Sequence, residues 1–478
     1  MNQVDELLAS YAPWAGEHRT WPLTPLELFM WLDDRPAFPL LFQVCLCFDG
    51  PLDPAAMREA FRFAQGRQPL LRATIRKRGR GAQWVAAASG WPELAVFAKD
   101  AEGEPGLEAI DLTVSPGLHG WMRETDVGWD ITLVFHHACC DGQGARMFIQ
   151  DMVLAYAVLT GVSERADPFF MLDIEHLDRR GSYPPPVGRA RSLSWKLQQV
   201  AEFFLMRPQP TASDPAAHGT ATDGHSGSGR IGFCSHTFSV EDVERLQDPR
   251  RRETASLNDV AVAILFASLG EWQRSHGVSP KACVRVTVPT DLRGREDERM
   301  PAANRYTYVF LNRRLRDCGS WTSLLDGVQR ELQEKLQTRF GVNFLNKIGL
   351  VARLPWLMRR VLNGPACFST ALLTNLSDPS RRLRKRLPVD EDRFFWLGKA
   401  RCHDLQVRTP PLRPKTHWGV GIFEYAGRMT VTFRYDTTTI TAADAERVLA
   451  HYIEGWRQWL AATDAATAGE GAGRPARD

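Results

Sequence analysis

No stretch of this 478-residue chain stays apolar for long enough to cross a bilayer: the longest such run, Val260 to Leu269, falls far short of the roughly 20 residues a membrane helix needs. The N-terminus, Met1-Asn2-Gln3-Val4-Asp5-Glu6, lacks the basic start and apolar stretch of a secretory signal. No CxxC pair occurs and the cysteines number nine, an odd count, which argues against a zinc ribbon and against a closed disulfide framework. An excess of one charge is also missing. With 59 basic and 56 acidic residues the net charge is +3, which leaves no electrostatic footprint for nucleic acid. Repeats at a short fixed period are absent. These absences together predict a soluble, cytoplasmic protein whose thiols are mostly reduced and buried.

The chain does have material for a core, with 44% hydrophobic residues and 15 Trp. Its length exceeds one ordinary core and suits two domains of about 200 residues each. Alternating and helical periodicities place strands at Phe42 to Phe48, Leu71 to Arg76 and Gln83 to Ala87, and a hairpin from Leu118 to Glu124 and back through Gly128 to His137. Asp53 and Pro54 open an early helix, and Gly142 to Leu159 reads as another. An amphipathic stretch, Trp195 to Met206, precedes Arg207 to Arg230, whose Pro, Gly, Ser, Thr and Ala mark a linker. In the second half Ser239 and Ser256 cap helices, and strands follow at Cys283 to Val288 and Arg305 to Leu311. Helices are expected from Trp321 to about Phe340 and around Leu345 to Leu362, then a strand at Phe368 to Asn375 and a hairpin at Gly419 to Tyr425 and Met429 to Tyr435. A last helix is capped by Thr441 and Asp444. The expected division is a first lobe over 1–180, a connecting segment and linker over 181–230, a second lobe over 231–462, and a disordered tail over 463–478.

The segment Phe135-His136-His137-Ala138-Cys139-Cys140-Asp141-Gly142 places two histidines, an aspartate and a glycine at the spacing HHxxxDG, where a strand gives way to a turn before a helix. A side chain there can leave the sheet for a cleft while its backbone stays rigid, as a catalytic base requires. Successive strand residues face opposite sides, so one of the two histidines points into any given cleft, and the spacing does not say which. Imidazole is suited to the task because its pKa near 6.5 leaves it mostly neutral at cellular pH. Asp141 invites a triad role, orienting the imidazole. The motif also holds every common zinc-ligand type, but adjacent residues diverge and no distant ligand pair completes a set, so no metal is expected.

The same string resembles the motif of the condensation-domain and coenzyme A-dependent acyltransferase superfamily, which includes nonribosomal peptide condensation domains, alcohol acetyltransferases and wax ester synthases. Further segments resemble it in order along nearly the whole chain: Arg67-Gln68-Pro69-Leu70-Leu71-Arg72-Ala73, Ser256-Leu257-Asn258-Asp259-Val260, Val288-Pro289-Thr290-Asp291-Leu292-Arg293 with Asn304-Arg305, and Gly419-Val420-Gly421-Ile422 with Tyr425-Ala426-Gly427-Arg428-Met429. A recognisable "DFGWG" segment of the plant branch is missing.

The resemblance implies an α/β fold of mixed sheets, in two chloramphenicol-acetyltransferase-like lobes that form a V-shaped pseudo-dimer with the motif histidine in a tunnel between them. It implies an acyltransferase that moves an acyl group from a coenzyme A or carrier-protein thioester to an alcohol or amine; the absence of an adjoining adenylation or carrier domain predicts a stand-alone enzyme, expected to be monomeric. His137 would be the general base and His136 would support the turn. By the same resemblance Asp141 points away from the tunnel and pairs with Arg293, Gly142 allows close approach or a positive φ, and Cys139 and Cys140 are variable positions. The transition-state oxyanion needs a donor, for which the backbone amides near Gly142 and the pair Thr374 and Asn375 are candidates; Asn375 starting a turn before Asp378-Pro379 is the plainer alternative. No tightly bound cofactor is implied, since coenzyme A or a carrier phosphopantetheine arrives with the donor.

Two other activities remain open at this point: a catalytically silent condensation-like domain that binds a carrier protein, and a membrane-surface lipid acyltransferase. The second is suggested by Lys347 to Arg360, which interleaves apolar and cationic residues, and by the five charges of Arg381-Arg382-Leu383-Arg384-Lys385-Arg386. Those stretches read either as a surface for anionic lipid, carrier protein or coenzyme A phosphates, or as a core helix with a solvated basic rim.

Overall fold

A computed structural model describes residues 3–79, 81–101, 109–163, 169–188, 192–195, 197, 205–212, 230–249 and 255–471. Most of the amphipathic stretch after Trp195 and most of the 207–230 linker lie outside these residues. In the first half the helices are α1 (Gln3–Tyr11), α2 (Pro25–Asp33), α3 (Pro54–Arg67) and α4 (Gly142–Leu159), and the strands are β1 (Arg19–Pro22), β2 (Leu41–Asp49), β3 (Ala73–Arg78), β4 (Gly81–Ala86), β5 (Ala95–Phe97), β6 (Leu118–Glu124) and β7 (Gly128–His136). The second half contributes α5 (Val240–Leu246), α6 (Leu257–Ser275), α7 (Trp321–Gln337), α8 (Gly341–Val351), α9 (Pro355–Leu362) and α10 (Ala442–Gly471). Its strands are β8 (Ile231–Phe238), β9 (Cys283–Asp291), β10 (Tyr306–Arg314), β11 (Ala371–Asn375), β12 (Trp396–Leu397), β13 (Ala400–Arg408), β14 (Trp418–Tyr425) and β15 (Arg428–Asp436).

These elements build two mixed α/β lobes, each around one six-stranded sheet, in orders β12-β13-β2-β7-β6-β5 and β10-β9-β11-β14-β15-β8, with a small sheet β1-β4-β3 beside the first. β7 lies inside its sheet, between β2 and β6, and its last six residues are all buried. Such a strand is held in register by pairing on both edges and has no freedom to slide. α3 starts where Asp53 accepts from the amide of Ala55 at 2.8 Å and Pro54 presets the first turn. α4 packs on β7 through Phe148 and Phe135, whose rings lie 5.9 Å apart edge to face. In the second lobe α6 opens on a capping box of Ser256 and Asp259, and α10 covers it and β8 with Trp456 fully buried.

The first sheet is completed from the second half of the chain. β13 pairs antiparallel with β2, placing Leu405 opposite Leu46 and Val407 opposite Val44. Two further features differ from what periodicity predicts. The 345–362 region is two helices, because Pro355 has no amide to continue the first and keeps Leu354 out of helical backbone. α10 runs on past Ala462, beyond which composition predicts disorder, to Gly471; residues 472–478 lie outside the described residues.

Candidate active site

β7 ends at His136, and the two motif histidines part there. His136 is fully buried: its Nδ1 accepts from the amide of Ala138 at 3.1 Å, and its Nε2 lies 3.6 Å from Asp34 Oδ1. It closes the turn. His137 faces a cavity of about 510 Å3 between the lobes, lined by Phe42, Val44 and Ile149 from the first and Tyr306, Phe310 and Phe344 from the second. The His137 backbone is fixed from both sides, since its amide donates to Leu40 O at 2.8 Å and its carbonyl accepts from Asn304 Nδ2 at 2.9 Å. Its ring sits between Phe42 and Tyr306, with centroid separations of 5.3 and 5.5 Å. Burial lowers the pKa of His137 below its ordinary 6.5, only partly offset by its own backbone carbonyl and the charge of Asp141. Burial thereby favours the neutral form of the cavity-facing imidazole, the form able to accept a proton.

Asp141 is bound elsewhere. Its carboxylate takes a two-pronged pair from Arg293, Nη1 to Oδ2 at 2.8 Å and Nη2 to Oδ1 at 2.9 Å, and accepts from the amides of Arg305 and Gly144, each at 2.9 Å. Neither imidazole is among its hydrogen-bond partners in the described residues. Burial pushes this carboxyl up, but the charge and hydrogen bonds of Arg293 with the two amides outweigh it and hold the pKa below the ordinary carboxylate value. Asp141 also caps α4 through the Gly144 amide, so one side chain starts the helix and ties the turn to the second lobe. Gly142 has no positive φ; a Cβ there would meet Leu376 of the second lobe at 2.8 Å, and one on Gly144 would meet Cys140 Cβ of its own turn at 2.8 Å and Ala302 Cβ of the second lobe at 3.2 Å. Both glycines serve close approach of the lobes.

Thr374 and Asn375, at the end of β11, line the same cavity. Both polar ends of Asn375 are engaged, its amide donating to Asn258 Oδ1 at 2.9 Å and its carbonyl accepting from Ser377 N at 2.8 Å, so it starts the turn that follows. Cys139 and Cys140 are fully buried, and burial pushes both thiols up, away from the reactive thiolate. The motif's imidazoles, thiols and carboxylate do not converge on a point. Among the described residues the ligand atoms that do are those of Cys45, Cys47 and Asp130, within 4.8 Å of one another on β2 and β7, one short of a closed zinc site.

Sequence reasoning gave no role to Asn304 or Tyr306. Tyr306 had a signal, because Tyr306, Tyr308 and Phe310 alternate along β10 and all three reach the cavity. Asn304, which holds the carbonyls of His137 and Ala138 at 2.9 and 2.8 Å, had none beyond its place in a resembling segment. That segment has a counterpart in the first lobe: Gln68 accepts from the amide of Ala302 at 2.6 Å and donates to Asp151, which also pairs with Arg67.

Comparison with solved structures identifies the architecture. The trichothecene 15-O-acetyltransferase of Fusarium sporotrichioides superposes with a TM-score of 0.64 over 92% of this chain and 95% of that one, at 12% identity. The chain has the fold of condensation domains. A starter condensation domain of rhizomide synthetase, solved as a variant with C8-CoA and Leu-SNAC, matches at a TM-score of 0.62 and 15% identity over 96% of this chain and 97% of its own. No family model matches the sequence. An uncharacterized protein of Mycobacterium tuberculosis is 27% identical over 471 residues, covering 91% of this chain and 98% of that protein. Within the condensation-domain fold, the cavity and His137 lie where the two lobes meet.

Proposed function

We propose that the chain is an acyltransferase in which His137 is the general base. The observation that carries this reading is a neutral imidazole, pinned by its backbone to both lobes, facing an apolar cavity between them. His137 takes the proton of an acceptor hydroxyl or amine as that group attacks a thioester carbonyl. The carbon–sulfur bond then breaks, and the imidazolium returns the proton to the departing thiolate. The donor arrives as acyl-coenzyme A or on a carrier phosphopantetheine; the C8-CoA bound by the rhizomide domain and the acyl transfer named for the Fusarium enzyme support that class. In this reading the lobe 1–180 supplies the base, the lobe 231–462 supplies Arg293, Asn304 and Tyr306 to hold and wall the site, and Thr374 is the side chain on β11 left to face the oxyanion.

The test is direct: purified protein is incubated with a panel of acyl-coenzyme A and acyl-carrier donors against alcohols and amines, and products are read by mass spectrometry. Transfer to no acceptor from any donor would refute the reading. Where transfer is found, kcat/KM falls on the acid side as His137 takes up a proton, with a midpoint below the ordinary 6.5 because burial disfavours the charged ring. A midpoint above 6.5 contradicts the site described. Cys139→Ala and Cys140→Ala retain activity, and neither thiol is alkylated by iodoacetamide in the folded protein at neutral pH; an acyl-cysteine trapped on either would replace the one-step mechanism with a covalent one.

A further inference from the structure

α8 and α9 form a helical hairpin whose two sides differ. Inward, Leu345, Ile348, Met358 and Leu362 are buried. Outward, four large apolar side chains stand in solvent: Leu350 at 62% exposure, Leu354 at 46%, Trp356 at 65% and Val361 at 47%. Between them Lys347, Arg353, Arg359 and Arg360 are also exposed, and from Glu334 to Asp378 the chain holds no intervening acidic residue. An apolar and cationic surface of this kind is expensive to leave in water unless something covers it. The hairpin packs on α2 of the first lobe, and α8 also packs on β10 of the second. Its inner side walls the cavity through Ile348, Val351, Met358 and Leu362, and Val361 both lines the cavity and reaches solvent. The outer patch is thus continuous with the site. The other basic stretch is more committed, since Arg384 pairs with Asp378 and Arg382 lies over the Phe170 ring at 5.4 Å.

We propose that the α8–α9 hairpin docks the protein on an anionic lipid bilayer, from which an apolar substrate passes beside Val361 into the cavity. Exposed Trp and Leu enter the headgroup–acyl boundary while the flanking guanidinium groups meet anionic headgroups. The continuity of patch and cavity favours lipid over an acidic protein, because a protein partner would close the route past Val361 whereas the acyl region of a bilayer extends it. Docking stands on the patch and its continuity with the cavity; only the passage of substrate rests on the acyl-transfer reading.

The experiment is flotation of the full chain with phosphatidylcholine vesicles, with and without phosphatidylglycerol. The expected result is binding to the anionic vesicles that weakens with added salt. Arg359→Gln with Arg360→Gln should lower the partition coefficient roughly 30-fold, from two lost headgroup attractions. Leu354→Ser with Trp356→Ser should weaken binding at low salt as well. All four side chains are exposed and none lines the cavity, so both variants keep the melting temperature of the parent. Failure of the parent to float with anionic vesicles, or unchanged flotation of both variants, would overturn the proposal. So would capture of an acyl carrier protein that these variants abolish while vesicles are not bound. Flotation reads no turnover, so its failure leaves the acyl-transfer reading standing, and a failed transfer assay leaves docking standing.

Discussion

His137→Ala lowers acyl transfer by about 100- to 10,000-fold, the range for removing a general base, while circular dichroism and melting temperature stay close to the parent. Stability is spared because the ring of His137 makes two aromatic contacts at a cavity wall, and the hydrogen bonds that fix the residue run through its backbone, which alanine keeps. His136→Ala behaves differently. It removes the acceptor of the Ala138 amide from a fully buried position and leaves that donor unpaired, so its main effect is on stability, with a smaller loss of rate as the turn loosens. The pair of variants separates the roles in a way that one variant cannot. Near-normal transfer by His137→Ala would refute its assignment as the base.

The second large effect is expected at Asp141 and Arg293. Asp141→Ala leaves the Arg293 guanidinium in a largely buried place with one carboxylate gone, and also leaves the amides of Arg305 and Gly144 without their acceptor. Breaking such a pair costs about 3–5 kcal/mol, to be measured by urea unfolding. Arg293→Ala costs a similar amount, and the double variant less than the sum of the singles, because the second change removes a charge already stranded by the first. The pH dependence has a definite sign. Asp141 has a depressed pKa in the folded chain, so its contribution is fully present above the carboxylate range of unfolded chains, near 4, and is lost as pH falls through its folded value. A triad predicts another outcome, in which Asp141→Asn stays as stable as the parent and loses only rate.

Much of the local structure was legible because the residues that decide it are neighbours in the chain. The β6–β7 hairpin and α4 fall where alternation and periodicity place them. β13 was not legible. Its apolar positions alternate at Ala400 and Cys402 and again at Leu405 and Val407, but a bulge between Cys402 and Asp404 shifts the phase, and a strand so broken reads as loop. Nor does any local pattern announce that it crosses to the other half's sheet. At the site, the spacing marked the turn while leaving open which imidazole meets the cavity. That choice depends on how the backbone leaves β7: the His136 amide bonds Gly117 O and the His137 amide bonds Leu40 O, on opposite flanks. The role of Asn304 depends on the approach of two lobes, which no window of sequence contains.

The seating of β13 on β2 also sets a timetable for synthesis. A ribosome adding about 5–20 residues per second leaves β2 without its outer neighbour for on the order of tens of seconds after β7 has emerged, since Leu46 and Val44 wait for Leu405 and Val407. Through that interval the nascent half displays an open ladder edge of Gln43 to Asp49, able to recruit a strand from another polysome-bound copy. That edge closes only when residues 401–408 have been made and have reached β2.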